Sequence, residues 1–193
     1  MPKPEPEPGK VALFSGHMID APGRKTPRFP AEKEPVAAEA IAGALKEIGL
    51  AGGDLAICGG ACGGDLLFAE AALAQGARVE LYIPFAEPAF LEKSVDFAGD
   101  DWRARYFAVK AQATLHVMPD ELGPAPEDED PYERNNRWMI DSASRFGPER
   151  VDLICLWNGE RGDGPGGAQH MMEEVRAKGG SAIWLDTRKL WTV

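Results

Sequence analysis

Short, mainly apolar runs alternate along the chain with longer stretches in which apolar residues recur every three or four positions. Val11-Ala12-Leu13-Phe14, Leu55-Ala56-Ile57-Cys58, Val79-Glu80-Leu81-Tyr82-Ile83, Thr114-Leu115-His116-Val117, Val151 to Trp157 and Ala182-Ile183-Trp184-Leu185 are of the first kind. A run with few polar positions has no wet face, so these predict strands covered on both sides. Val36, Ala40, Ile41, Ala44, Leu45 and Ile48 keep helical spacing, with Pro35 placed for a first turn and Gly49 for a stop. Helices are likewise predicted over 65–75, 88–94, 101–112, 132–146 and 166–178. This alternation predicts an α/β fold, Rossmann-like and doubly wound, with a mainly parallel sheet flanked by helices. Residues 1–9 alternate proline with charge and predict a disordered tail, and residues 10–193 a single domain. His17 to Glu34 and 119–131 read as long polar loops.

Composition narrows the function classes. The 193 residues include 21 Lys+Arg against 31 Asp+Glu, a formal net charge of −10. That balance argues against a nucleic-acid polymer as partner, because a backbone binder needs a basic face. No stretch approaches the ~18 consecutive apolar residues of a membrane span, and the first nine residues lack the apolar core of a secretory leader. Three cysteines without scaffold spacing suit a reduced, cytoplasmic protein. Glycine (22) and proline (16) are abundant, and many of the glycines fall in two turns.

In a doubly wound sheet, ligands sit beyond the carboxyl ends of the strands, which selects the loops after the first, second, third and fifth strands. After the second strand stand Gly59, Gly60, Gly63 and Gly64, directly before a helix. Such a turn lets backbone N–H groups converge at a helix N-terminus and suits an anion. The glycines equally serve a tight βα turn. The spacing fits neither a Walker A loop nor the dinucleotide fingerprint, and Asp65 there suits a ribose hydroxyl better than a phosphate. The second turn, from Asn158 to Gly167, again joins a strand to a helix, on which Ala168, Met171, Met172 and Val175 share a core face. Glu173 lies about two turns in and can reach back toward the loop, or be a solvated helix carboxylate.

Other residues carry weaker chemistry. Cys62 sits in the glycine turn, where a thiolate paired with His17 or His170 is geometrically open, but a small residue packed in a tight turn is the favoured reading. Cys58 and Cys155 fall in apolar strands. Cys58 and Cys62 alone make a poor zinc site, so no metal or cofactor is called for. Arg24, Lys25 and Arg28 form a basic cluster in the first long loop. Asn135 and Asn136 can read a base or ribose, or cap a helix; Trp102 and Trp138 can stack on a base, or pack.

Pro165-Gly166-Gly167 followed by Glu173 matches part of the PGGxGTxxE motif of the LOG family. The turns at Ser15-Gly16 and at Gly59-Gly60 and Gly63-Gly64 resemble the binding turns of the wider SLOG superfamily, which joins LOG with the DNA-processing DprA/Smf proteins. The order of elements is similar from about residue 10 to residue 186. The resemblance implies a Rossmann-like domain that binds a nucleotide or nucleotide-derived metabolite as a small-molecule ligand, and a homodimer. It implies ligand contacts at Ser15, Gly16, Gly59, Gly60, Gly63, Gly64, Asp65, Asp163, Gly166, Gly167 and Ala168. If the enzyme roles carry over, the reaction is hydrolysis of an N-glycosidic bond, with Glu173 as the carboxylate near the ribose. Gln169 and His170 stand where the LOG motif has Gly and Thr. Without that pair, a nucleotide sensor that signals to a partner protein is the competing reading. No motif picks out a catalytic arginine; Arg103, Arg105, Arg134 and Arg137 are available. Asp163-Gly164 with Glu173 also faintly resembles the nucleoside 2-deoxyribosyltransferases.

Overall fold

The computed structural model describes residues 6–160 and 167–192. The six strands are β1 (Val11–Gly16), β2 (Leu55–Cys58), β3 (Arg78–Ile83), β4 (Thr114–Val117), β5 (Val151–Trp157) and β6 (Ser181–Asp186). They form one sheet in the order β4-β3-β2-β1-β5-β6. All five pairings are parallel, and Leu13 of β1 stands beside Ile57 of β2 and Leu153 of β5.

Helices cover both faces. Alternate residues of β1 point to opposite layers. Ala12 and Phe14 join a core with α1 (Glu34–Glu47), α2 (Gly64–Ala74), α3 (Glu87–Ser94) and α4 (Asp100–Lys110). Val11 and Leu13 join a second core with α6 (Pro131–Ser144) and α7 (Ala168–Ala177). Val11 to Phe14 are fully buried, which is why this strand is apolar at successive positions. The chain leaves β1 toward one side of the sheet and, from β4, returns to pair β5 with β1. The strand order therefore reverses between β1 and β5, and a crevice opens there beyond their carboxyl ends.

Two short helices were not signalled by periodicity. α5 (Met118–Leu122) occupies the start of the expected 119–131 loop, and α8 (Thr187–Leu190) follows β6. Asp186 caps α8 by accepting the Arg188 N–H at 3.1 Å. Asp130 caps α6 in the same way, taking the N–H groups of Tyr132 and Glu133 at 2.8 and 2.9 Å ahead of Pro131 in the first turn.

The segment expected to be a polar loop, His17 to Glu34, is irregular only as far as Pro30, where a short 3-10 helix (Ala31–Lys33) leads into α1, and it is tied down. The Asp20 carboxylate accepts the N–H groups of Arg28 and Phe29, each at 3.0 Å. Phe29 is fully buried and stacks on Trp191 at 5.4 Å. The Trp191 indole N–H donates to the Arg28 carbonyl at 2.9 Å. Residues 6–9, in the segment expected to be a tail, also touch the domain: Arg78 and Arg150 donate to the Pro6 and Pro8 carbonyls.

Candidate functional site

The β1–β5 crevice is a cleft of about 860 Å³, large enough for a drug-sized ligand. Ser15, Gly16 and His17 enter it from β1, and Leu156, Trp157 and Asn158 from β5. The Asn158 N–H donates to His17 Nε2 at 3.2 Å and links the two strand ends. Gly59 and Asp65 line it from the β2–α2 turn, Tyr132, Asn135 and Met139 from α6, and Gly167, Ala168 and Glu173 from α7.

The β2–α2 turn is not the open anion cradle that its glycines suggest. The Ala61 N–H donates to Asp65 Oδ2 at 3.1 Å, the Cys62 N–H to the Ser94 carbonyl at 2.8 Å, and the Gly64 N–H to the His17 carbonyl at 3.1 Å. Three donors expected to meet a phosphate are thus engaged within the protein, one of them by the protein's own carboxylate. The glycines serve close approach. A Cβ on Gly63, whose φ is +96°, would lie 2.5 Å from the Ile19 backbone nitrogen. A Cβ on Gly59 would lie 2.9 Å from Asp65 Oδ2. Gly59 reaches the cleft, whereas Gly60, Gly63 and Gly64 are not among the residues lining it.

Asp65 is the group this turn is built around. Burial of its carboxyl pushes its pKa from 3.8 up to about 7, against the opposing pull of the Ala61 N–H. A carboxyl poised near neutrality can take or give a proton at working pH. Glu173 lies on the exposed side of α7, and Gln169 Nε2 donates to its Oε1 at 2.8 Å.

The nucleophile alternative fails. Cys62 is fully buried, and burial, with the Asp65 charge in second place, pushes its thiol up to about 12. Cys58 and Cys155 are also buried and free, with raised thiol pKa values. The four available arginines are committed elsewhere. Arg103 pairs with Asp96 at 2.6 Å, and Arg105 with Glu34 and Glu70 at 2.6 and 2.7 Å. Arg134 donates to the Leu122 and Gly123 carbonyls, and Arg137 pairs with Glu129. Among the described residues, the arginine lining the cleft is Arg28, from the expected basic cluster. Trp102 packs under Arg105 at 4.1 Å, and Trp138 meets the Tyr82 ring edge-on at 4.7 Å; Trp157 is the tryptophan of the cleft. Asp163 and Gly166 lie outside the described residues.

Pro84, Phe90, Ser94 and Asn158 fall in loops expected at the ligand edge, but nothing in the sequence singled them out as residues that line the cleft. Sequence reading named Asn135 as a candidate but gave no sign of that residue's state. Asn135 is 4% exposed, its Nδ2 donates to the Tyr82 carbonyl at 2.8 Å, and its Oδ1 has no partner.

Among the described residues, no helix is long and apolar enough to cross a membrane. No protein-family model and no curated protein matches the chain. Among solved structures, it is similar to DNA processing protein A (DprA) from Streptococcus pneumoniae, at 14% identity and a TM-score of 0.46. The match covers 91% of this chain and 49% of that one, so the chain spans about half the length of that protein.

Proposed function

We propose that the cleft binds a nucleotide or nucleotide-derived metabolite and that the reaction it suits is hydrolysis of the N-glycosidic bond of a nucleoside monophosphate. The observation that carries this reading is one cleft, at the point where strand order reverses, whose lining carboxylates include two of unlike setting: Asp65, poised near 7, and the exposed Glu173. Cleavage breaks the bond between the ribose carbon and the base nitrogen. The base needs a proton as it leaves, and the ribosyl carbon gathers positive charge until water attacks it. Asp65 supplies the proton; Glu173 offsets the charge or directs the water. The start of α7 at Gly167 and Ala168, with Arg28, suits the phosphate, because the first N–H groups of a helix attract anions. The acidic groups around the cleft favour a small ligand over a nucleic-acid chain.

A second reading, a sensor that binds the nucleotide without cleaving it, is favoured by one contact: Gln169 already holds Glu173. Incubation with AMP and assay of free base separates the two. The enzyme reading expects base release that Glu173→Gln abolishes while AMP binding persists. An unchanged rate removes Glu173 from the mechanism. No thermal shift with AMP, ADP-ribose, NAD or cyclic nucleotides overturns both readings.

A further inference from the structure

Asn135 lines the cleft and carries a buried acceptor without a partner. It lies in the second turn of α6, 4% exposed, and its Oδ1 has no hydrogen-bond partner. A buried amide oxygen left alone is costly, and in a native fold such a group calls for an explanation. The side chain cannot turn to relieve it. Nδ2 donates to the Tyr82 carbonyl at 2.8 Å, and a flipped amide would set oxygen against oxygen there. The free side is therefore an acceptor with fixed orientation.

The surroundings decide what donor it waits for. Tyr132, Asn135, Asn136 and Met139 all line the cleft, at the three- and four-residue spacing that puts them on one face of α6. Met139, Pro84 and the Tyr132 ring give this stretch apolar surface suited to a flat heterocycle. Asp65, Asp130 and Glu133 line the cleft as well, an acidic setting that repels a phosphate. The Asp65 carboxylate and the Tyr82 carbonyl both lie close to Gly59, so the turn and α6 meet at this point.

Resting on the nucleotide reading above, we infer that Asn135 reads the base: its Oδ1 accepts an N–H from the edge of a heterocycle lying along the α6 face, and the ribose and phosphate extend toward α7. The ligand class is then a nucleotide whose base carries an N–H donor on its pairing edge. A base with that edge stripped of donors leaves Oδ1 as it is in the free protein and gains nothing from it.

The test is calorimetric titration of the full chain with AMP and with purine riboside 5′-monophosphate, which lacks the amino group. AMP is expected to bind at least ~10-fold more tightly. Asn135→Leu, close in size but without an acceptor, is expected to bring the two affinities within about threefold, mainly by weakening AMP. Should that variant fail to fold, Asn135→Ser, smaller and out of reach, gives the same ratio to read. Equal or tighter binding of purine riboside 5′-monophosphate by the unsubstituted chain overturns the assignment and leaves the nucleotide reading standing. So does a ratio that survives loss of the Asn135 acceptor. Failure of both nucleotides to bind the unsubstituted chain overturns the assignment, and the nucleotide reading falls with it only if ADP-ribose, NAD and cyclic nucleotides also fail to bind.

Discussion

Replacing Asp65 by asparagine should stabilise the protein, and more so as the pH rises. The folded chain holds this carboxyl near 7, while an unfolded chain ionises it near 3.8. Between those values the folded state binds more protons than the unfolded one, so stability falls as pH rises through the window and levels off above it. The full penalty above pH 7 is about 4 kcal/mol, at 1.36 kcal/mol per pKa unit. Asparagine keeps an oxygen for the Ala61 N–H and removes the charge. Its gain over the natural residue should be about 1.5 kcal/mol at pH 5 and about 4 kcal/mol at pH 8. For a chain of this length the larger figure corresponds to roughly 8–16 °C in Tm. Urea unfolding of both proteins at the two pH values measures the difference directly, and other titrating groups cancel because both proteins share them. A gain independent of pH, or a loss at pH 8, would refute the link between burial and the raised pKa. A site that pays stability for its chemistry is a familiar trade, and the same substitution should remove whatever proton transfer Asp65 performs.

Gly63→Ala should destabilise by about 3 kcal/mol or more in chemical denaturation, because the new Cβ meets backbone at Ile19 and Met18 in a left-handed conformation; near-native stability would show that the turn can open. Trp191→Ala removes both the Phe29 stacking and the bond to the Arg28 carbonyl, so exchange of the Arg28 and Phe29 amides should quicken roughly tenfold or more, while β5 amides stay protected. His116 lies between Glu80 (3.6 Å) and Glu121 (2.8 Å), whose charges raise its pKa; its advantage over His116→Gln should be greatest below pH 6.5 and fade as the pH climbs through the raised value. The three thiols should resist alkylation at pH 8 in the folded protein and react together on unfolding, and prompt labelling of Cys62 would contradict its burial.

The inner strands β1, β2 and β5 were legible because they are buried on both faces and so announce themselves as apolar runs without alternation, whereas the edge strands β4 and β6, also expected to be covered on both sides, are only partly buried. α8 was not, since Thr187-Arg188-Lys189-Leu190 is too short for periodicity, although Asp186 is a cap signal in plain view. The place of the cleft followed from the βαβ rhythm. Its chemistry followed less well. Glycines at 59–64 show that backbone comes close to something, but not to what. That the Ser94 and His17 carbonyls and the Asp65 carboxylate claim the N–H groups is a matter of contacts between elements. The lone oxygen of Asn135 depends on a carbonyl 53 residues earlier, which no local pattern records.

The clasp between Trp191 and Arg28 also sets a timetable. The two residues are 163 apart in sequence, and Arg28 belongs to the cleft. A ribosome adding roughly 5–20 residues per second spends about 8–33 s between them. For that interval the first strand and its loop exist without the indole that holds the loop in place. The Arg28 side of the cleft takes its final form only once the Trp191 indole is in place, so ligand binding by a chain cut before that residue reports on how far the clasp shapes the cleft.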